Sequence, residues 1–339
     1  MAISMFDSRA MIPALDLIHP PKSFLRDMFF RTSNISIKET VDIDIRTGGR
    51  QLAPFTSLQL PAYTKEKKGW ITKSYNPPPI NSKAIFTSYD VLKRDFGSHI
   101  YENLMTPEQR AASELGRELQ EFVDDITRRE EWMAAKLIDT GTYTATGEGV
   151  SLVVDFGYVS SHRYTASTLW SAGGAKPLAD IKTACELIEV DGAVKPDTLI
   201  LGISTVEYFV ELVKKTSLDL RERDLGRILI DQLPNGANYL GRLSEYGLNV
   251  YSYASYYDDG TGTIVNMVPA DRIYLGSTEA YCSCNYGAIP DLQNNVLASV
   301  KYYPKTWMSN DPSAMYLQVQ SRPLVAMHQP QAFASIEVV

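Results

Sequence analysis

The longest regular pattern of hydrophobic and polar positions in the chain runs from Thr106 to Asp139. At about 100° per residue, one set of apolar side chains falls along a single line of a helix, namely Leu115, Leu119, Phe122, Ile126, Met133 and Leu137. Thr106 suits the N-cap, with Pro107 at the first helical position and Gln109 three residues after the cap. Gly141 stands just beyond the other end, where glycine commonly terminates a helix. The pattern predicts one helix of about 33 residues, roughly 50 Å long.

The region from Ile35 to about Ile85 has the alternating pattern of extended chain. The stretch SIKETVDIDI alternates polar and apolar residues, as a half-buried strand does. Two further extended runs flank a charged tip at 65–68 (KEKK), and three prolines at 77–79 end the second run. About 50 residues with so few core-forming positions are rare in a compact domain unless they are functional. We therefore expect this excursion to have a function of its own.

The first 23 residues are predicted to form an arm, because prolines at 13, 20 and 21 would interrupt any long helix. The stretch FLRDMFFR that follows predicts a short helical turn with an apolar side made of Phe24, Leu25, Met28 and Phe29. An arm of this kind gains order by lying on another surface. Phe24 and Phe29 are therefore candidate contact residues.

The middle of the chain combines helical patterns with buried-strand patterns. PLADIKTACELIEVDG (177–192) and STVEYFVELVKKT (204–216) have helical spacing, and PDTLILGI between them is typical of a buried strand. Two strands around DDGTG (258–262) predict a hairpin, and the chain becomes strand-like again towards its end. This order predicts an α+β fold, with a mixed block inserted between β-rich N- and C-terminal parts.

The long helix also carries a dense set of charges in EFVDDITRREEWMAAKL (121–137). One face, roughly 90° from the apolar line, holds four acids: Glu114, Glu118, Glu121 and Asp125. A di-metal site in a helical bundle needs Glu-x-x-His motifs and ligands from several helices, and this helix has no histidine. We therefore interpret the charges as a solvated face. Two acid-first pairs at i,i+4 spacing support this interpretation, Asp124–Arg128 and Asp125–Arg129.

Trp132 is the exception on this face, since it lies at about the same angle as Glu114 and Glu121. A tryptophan in this position needs a cover, so we expect the helix to pack on its own domain and to touch a neighbouring subunit. The candidate inter-subunit contact residues come from the charged tip, the helix and the arm. They are Lys65, Glu66, Lys67, Lys68, Trp70, Glu121, Asp124, Asp125, Arg128, Glu130, Glu131, Trp132, Phe24 and Phe29.

Composition and charge narrow the function classes. An apolar fraction of 44% allows a sizeable core, and a net charge of −7 argues against a surface that grips nucleic acid, though not against a container that encloses it. Cys185 and the Cys282-x-Cys284 pair make neither a disulfide framework nor a zinc site, so we expect buried cysteines and a reducing compartment. No apolar run approaches the ~20 residues of a membrane helix, and the first residues lack the pattern of a signal peptide. We expect a soluble protein that is kept inside the cell.

No motif of a known active site is present in the sequence. Patterns for phosphate loops, dinucleotide binding, zinc hydrolases and serine hydrolases are all missing. DDGTG is better explained as a hairpin turn than as a calcium loop, and RTGGR (46–50) as a turn. His99 and His162 have no acid or nucleophile placed beside them in sequence. We predict no catalytic, cofactor or metal site.

The order of parts resembles the Hong Kong 97-type shell fold of tailed-phage major capsid proteins. Several stretches are similar to the lambda major head protein family: FLRDMFF (24–30), IYLGSTEA (273–280), KYYPKTWMSNDPSAMYLQVQSRPLVAM (301–327) and FASIEVV at the end. The most specific of these is Tyr303-Pro304-Lys305-x-Trp307 followed by Asp311-Pro312. The chain departs from the family at Gln329-Pro330, where the family has an Asp-Pro pair before the last strand.

The resemblance implies names for the parts of the chain. These are an N-terminal arm (1–34), an E-loop and its base (35–90), a first part of the P-domain (91–176) with a spine helix at about 107–139, an A-domain (177–290), and a second part of the P-domain (291–339).

The resemblance also implies a function. Many copies would assemble, in the host bacterial cytoplasm, as hexamers and pentamers of an icosahedral virion shell around double-stranded DNA. The implied partners are a portal, a scaffold and, at three-fold positions, a decoration protein. Since the sequence shows no extra N-terminal domain that could act as a fused scaffold, we expect a separate scaffolding protein. We also expect the E-loop lysines to meet acids on a neighbour's spine helix.

Two alternatives remain at this point. An encapsulin-like compartment shares the fold but holds a cargo enzyme, and the lambda-like C-terminal stretch disfavours it. A hydrolase using the carboxylate-rich helix is disfavoured by the lack of a histidine partner or a nucleophile motif.

Overall fold

The computed structural model of the chain describes residues 11–12, 15, 23–45, 52–53, 55–57, 70–87, 107–147, 149–215, 231–233, 236–291, 296–310 and 313–339. The helices within these ranges include α1 (Leu25–Phe29), α2 (Pro107–Thr140), α3 (Pro177–Asp191) and α4 (Thr205–Lys215). The strands are β1 (Thr32–Ile35), β2 (Val41–Ile45), β3 (Ile71–Tyr75), β4 (Ile80–Thr87), β5 (Thr142–Gly147), β6 (Val150–Asp155), β7 (Arg163–Thr165), β8 (Thr198–Leu201), β9 (Asp231–Gln232), β10 (Ala237–Leu243), β11 (Leu248–Tyr253), β12 (Tyr256–Asp258), β13 (Ile264–Asn266), β14 (Arg272–Gly276), β15 (Cys282–Tyr286), β16 (Ile289–Asp291), β17 (Val296–Ala298), β18 (Tyr303–Asn310), β19 (Ser313–Ser321), β20 (Pro323–Met327) and β21 (Phe333–Glu337).

The long helix predicted from the apolar line is α2, which spans 34 residues. All six side chains of that line are buried. The helix ends just before Gly141, as predicted. Gly141 has φ +69°, and its N–H donates to the Leu137 carbonyl at 2.8 Å. A Cβ at Gly141 would collide with the side chain of Tyr158, so glycine is needed there for both its conformation and its size. None of the described helices is both long enough and apolar enough to cross a membrane.

The two halves of α2 pack against different parts of the chain. In the first half, Leu115, Leu119 and Phe122 meet Leu317 and Val319 of β19. That strand is the centre of a three-stranded sheet in the order β18-β19-β4. The second half of the helix lies in the largest core cluster, together with α1 and β20. Two apolar cores along one helix explain how it can be so long, because each half has its own partner.

A seven-stranded sheet forms the body of the middle block, in the order β7-β21-β14-β8-β11-β10-β9. Helix α3 packs on this sheet through Ile181, Ala184 and Ile188. Two of the strands come from outside the range 177–290: β7 precedes it, and β21 is the last strand of the chain. β21 pairs antiparallel with β14 from Arg272↔Glu337 to Gly276↔Phe333. The C-terminus therefore ties the middle block to the rest of the chain.

The two ends of the extended excursion are joined by the antiparallel pairing of β2 with β3, from Val41↔Tyr75 to Ile45↔Ile71. The alternation read in β2 is confirmed, since Val41, Ile43 and Ile45 are buried and the residues between them are exposed. The charged tip at 65–68 and the RTGGR turn lie outside the described residues.

Two smaller sequence predictions are also confirmed. The DDGTG stretch joins the antiparallel strands β12 and β13, and Asp258 Oδ1 accepts the backbone N–H of Gly260 at 2.9 Å. Cys282 and Cys284 are buried on β15, and Cys185 is buried on α3.

Candidate assembly surfaces

The short helix α1 is fixed to the long helix α2 by one buried carboxylate. Glu131 Oε1 accepts the backbone N–H groups of Phe24 at 3.1 Å and Leu25 at 2.8 Å, and Oε2 accepts that of Arg26 at 2.9 Å. The Tyr253 hydroxyl donates to Oε1 at 2.8 Å. The first N–H groups of a helix have no partner within it, so Glu131 caps α1 from a position more than 100 residues away. Burial raises the pKa of Glu131, while these hydrogen bonds act in the opposite direction.

Glu130 makes a second link between the same elements. Arg26 Nη1 donates to Glu130 Oε2 at 2.6 Å, and the Tyr286 hydroxyl donates to Oε1 at 2.8 Å. Burial acts to lower the pKa of Arg26, but the charges of Glu130 and Asp27 outweigh burial and raise it. Arg26 is therefore charged in the folded chain. The two adjacent glutamates connect the arm, the spine helix and strands β11 and β15.

Four of the expected inter-subunit residues are buried within their own chain, namely Phe24, Phe29, Glu130 and Glu131. The physical reason is that α1 folds back onto its own chain. Glu130 and Glu131 accept hydrogen bonds from α1, while Phe24 packs against Tyr253 and Phe29 against Phe333. A signal for Glu130 was present, because it lies only about 60° from the Leu115 line of the helix. Nothing in the local pattern indicated the roles of Arg26, Tyr253 and Tyr286.

The acidic face nearer the start of α2 is accessible, as expected. Glu121 and Asp125 are exposed, and Asp124 is half-buried. The predicted pairing is wrong in detail: Arg128 Nη1 meets Asp125 Oδ1 at 2.8 Å, in an i,i+3 pair. The Asp124 carboxylate instead accepts Gln120 Nε2 at 2.7 Å.

Arg129 lies over the ring of Trp132, with its guanidinium carbon 5.3 Å from the ring centroid. This is a cation–π arrangement, in which the arginine is attracted to the face of the indole ring. Trp132 itself is half-buried, edge-on to Tyr143 with ring centroids 6.3 Å apart. The expectation of an outward tryptophan is thus met in part, because β5 covers one side of the ring.

Trp132 and Tyr143 line a groove of about 420 Å³ between α2, the hairpin β5–β6 and the segment that leads into β4, and its walls mix apolar side chains with polar ones such as Asn81 and Thr146. Its walls include three prolines, Pro78, Pro79 and Pro323. We call it the Trp132 groove.

Bare apolar side chains are found on the excursion. Trp70 is 67% exposed and is followed by exposed Ile71 at the start of β3. Leu52 is 94% exposed and Phe55 107%. Lys65, Glu66, Lys67 and Lys68 lie outside the described residues. The expected contact at the tip is therefore still a prediction, whereas the exposure of apolar residues elsewhere on the excursion is observed.

The candidates for chemistry have structural partners. His162 does have an acid beside it, contrary to the sequence interpretation: Nε2 lies 3.0 Å from Asp191 Oδ2, and Nδ1 lies 2.8 Å from the Phe333 carbonyl. The ring is buried and ties the end of α3 to the start of β21. Among the described residues, no group of three or more histidine, cysteine or acidic side chains is arranged to hold a metal ion.

Comparison with known proteins gives matches along almost the whole chain. The phage major capsid protein E family matches residues 7–338. The major capsid protein of Escherichia phage lambda is 25% identical over 325 residues, which are 93% of each chain. The major capsid protein of Enterobacteria phage P21 is 25% identical over 332 residues, again 93% of each chain.

Solved structures give the same result for the fold. A prophage capsid protein of Escherichia coli CFT073 superposes with a TM-score of 0.73 at 17% identity, covering 100% of both chains. A phage-related protein of Bordetella bronchiseptica RB50 has a TM-score of 0.51 at 14% identity, covering 97% of this chain and 96% of its own. The predicted α+β fold of the Hong Kong 97 type is confirmed.

Proposed function

The chain belongs to the phage major capsid protein E family, and we propose that its copies assemble as hexamers and pentamers into an icosahedral shell around double-stranded DNA. The observation that carries the proposal is the family match over residues 7–338, with lambda-type relatives aligned along 93% of the chain. Members of this family are structural proteins of the phage head. The family assignment therefore replaces both the hydrolase and the cargo compartment as explanations.

The proposed partners follow from a shell that must be built and filled. They are a portal, a separate scaffolding protein and a decoration protein at three-fold positions, with assembly in the host cytoplasm. The net charge of −7 suits this proposal, because a negative wall does not trap DNA during packaging. DNA would be enclosed without sequence-specific contacts.

The contact we propose between subunits joins the E-loop tip of one copy to the spine helix of the next. Lys65, Lys67 and Lys68 would face the exposed end of the acidic surface, Glu121, Asp124 and Asp125. Glu130 and Glu131 drop out, since they serve α1. The proposed division into arm, E-loop, P-domain and A-domain follows the same family relationship, with β7 and β21 shared between the last two.

Electron microscopy of the purified protein tests the assembly. We expect rings of five and six subunits or closed shells. A chain that stays monomeric at every concentration and with a co-expressed scaffold would contradict the proposal.

Charge reversal tests the contact. In the variant Lys67→Glu, Lys68→Glu we expect a folded chain, judged by circular dichroism, that assembles poorly. The matched control is Lys182→Glu, Lys195→Glu, which makes the same change in net charge at exposed positions of the middle block. Adding Asp124→Lys and Asp125→Lys to the first variant should restore part of the assembly. Normal shells from the first variant would rule the contact out.

A further inference from the structure

The ring of His162 lies between two oxygen atoms that accept hydrogen bonds. Nδ1 lies 2.8 Å from the Phe333 carbonyl, and Nε2 lies 3.0 Å from Asp191 Oδ2. A neutral imidazole has one N–H group and one bare nitrogen, and the bare nitrogen is itself an acceptor. With a neutral ring, one of these two contacts would bring two acceptors together. With an ionised Asp191, both contacts are hydrogen bonds only when both ring nitrogens carry a proton.

The exposure of the two side chains indicates that the proton is on the ring and not on Asp191. The Asp191 side chain is 39% exposed, whereas that of His162 is 0% exposed. Contact with water stabilises an ionised carboxylate. Burial alone disfavours a charged ring, and the adjacent opposite charge of Asp191 offsets this cost. The pair is therefore an imidazolium next to a carboxylate.

The end of α3 also favours the charged ring. The C-terminus of a helix carries a partial negative charge, so a cation near it is stabilising. Helix α3 has no basic residue in its last turn and ends on an acid, Asp191. This end lies close to the segment before β21, since a Cβ at Gly192 would lie 2.6 Å from the Gln331 carbonyl oxygen. His162 thus brings a cation to a helix end that has none of its own.

The other titratable groups at this junction have different contacts. Tyr158 packs edge-on to the His162 ring, with ring centroids 6.0 Å apart, and its hydroxyl donates to the His162 backbone carbonyl at 3.4 Å. The side chain of Arg163, the next residue, lies 3.7 Å from Asp139. The turn Pro330–Ala332 has no titratable side chain. The carboxylate at the end of α3 is therefore the charge that the ring meets directly.

We propose that His162 is an imidazolium in the folded chain and acts as a proton-dependent tie between the end of α3 and the segment that leads into β21. Histidine is the side chain that most readily changes its charge near neutral pH. When the ring loses a proton, it can donate to only one of its two acceptors, and the other contact is lost. Because folding favours the charged form, the tie is complete at lower pH and is released as the pH rises.

The release is local, and it does not depend on the proposed assembly. β21 remains paired with β14 along its whole length, and α3 remains packed on the sheet through Ile181, Ala184 and Ile188. Only the last turn of α3 and the turn Pro330–Ala332 lose their connection. The tie thus allows this junction to loosen while the sheet stays intact.

The protonation state of the ring is measured by nuclear magnetic resonance on the full chain labelled with ¹⁵N at histidine. At pH 7 we expect signals of two protonated nitrogens for His162. His328 is the control, because its Nδ1 meets the Asp44 carbonyl but its Nε2 meets the Ser283 hydroxyl, which can donate. It should show one protonated and one bare nitrogen. Loss of signals in His162→Asn and in His328→Asn assigns them, and a bare nitrogen on His162 at pH 7 would overturn the proposal.

The tie itself is tested with Asp191→Asn. The new amide can donate to the ring, so a neutral His162 satisfies both contacts in this variant. Hydrogen exchange is measured at pH 6 and pH 9 and expressed as protection factors, which remove the intrinsic pH dependence of exchange. In the wild type we expect protection of the last turn of α3 to fall by roughly tenfold or more at pH 9, because a charge-assisted hydrogen bond is lost. In the variant, protection should be equal at both pH values.

Strand β8, in the middle of the seven-stranded sheet, is the internal reference for this experiment. A fall that is confined to the wild type and to the end of α3 supports the tie. Equal protection at both pH values in the wild type would contradict it, and so would an equal fall in Asp191→Asn. A loss of protection that includes β8 would also overturn the proposal, because it would show unfolding of the whole sheet and not release of one junction.

Discussion

Helix α2 carries acids of the same kind in opposite environments. In its first part, which we take as residues 107–129, Glu121 and Asp125 are exposed to solvent. In its second part, residues 130–140, Glu130, Glu131 and Asp139 are buried. The two parts are continuous in one helix of 34 residues, so the tendency to form a helix does not distinguish these acids. Only what packs against each part differs.

The buried acids are distinguished by the number of groups that donate to them. Three backbone N–H groups and a tyrosine hydroxyl meet Glu131. Asp139 accepts the Ser335 hydroxyl at 2.9 Å and lies 3.7 Å from Arg163 and 3.9 Å from Arg272. A buried carboxylate without partners costs several kcal/mol. The donors around each of these acids offset that cost. An exposed acid needs none, since water solvates it.

The largest effect on this contrast is expected from Glu131→Gln. The amide keeps only one acceptor oxygen and turns its NH2 group towards backbone donors, so unfolding should become easier by about 3 kcal/mol. The same change at Glu121 should stay within about 0.5 kcal/mol. Urea unfolding followed by circular dichroism measures both. Equal effects would show that burial of the acids in the second part of the helix has no energetic consequence.

A somewhat smaller loss is expected from Arg26→Met, which removes the charge partner of Glu130. We expect about 2 kcal/mol, because the Tyr286 hydroxyl still donates to the carboxylate. Arg128→Met breaks an exposed ion pair with Asp125 in the first part of the helix, and should cost less than about 0.5 kcal/mol. Urea unfolding at two salt concentrations distinguishes the two variants. If the Arg128 variant lost as much stability as the Arg26 variant, the contrast between the two parts of the helix would fail.

The smallest expected effect on stability concerns Glu118, in the first part of the helix. Burial, and then the charges of Glu121 and Glu114, raise its pKa. A raised pKa means that this carboxyl favours folding below its ordinary pKa and that the contribution is lost as pH rises through the raised value. Glu118→Gln should therefore stabilise the chain at pH 7 by about 0.3 kcal/mol, a gain reduced by solvent screening. The gain should vanish below about pH 4. Thermal unfolding across this pH range checks the sign, and a constant difference at all pH values would show that the charge of Glu118 is not the cause.

The sequence predicted the elements whose patterns are local. The apolar line, the N-terminal proline and Gly141 located α2 to within a residue or two, and alternation identified β2. The lambda-like stretches gave the fold and the family. These signals succeed because helices and strands repeat with fixed periods and because specific turns need specific residues.

The hydrophobic pattern did not show which strands pair when they lie far apart in the sequence. β4 pairs with β19 along its whole length, from Ala314↔Thr87 to Ser321↔Ile80, across more than 200 residues of chain. The Trp132 groove is assembled in the same way, from α2, β5, the prolines before β4 and Pro323. No periodicity in any one segment shows that these pieces meet.

Helix α2 shows which of its properties come from the sequence and which from the tertiary structure. The sequence by itself determined that residues 107–140 form one long helix with an apolar line and many acids. Only the tertiary structure decided which acids are buried, because the groups that cover Glu130 and Glu131 belong to α1 and to β11 and β15, more than 100 residues away. A carboxylate is buried only where donors converge on it. That convergence is a property of the packed chain, and the helical pattern of the acid itself does not contain it.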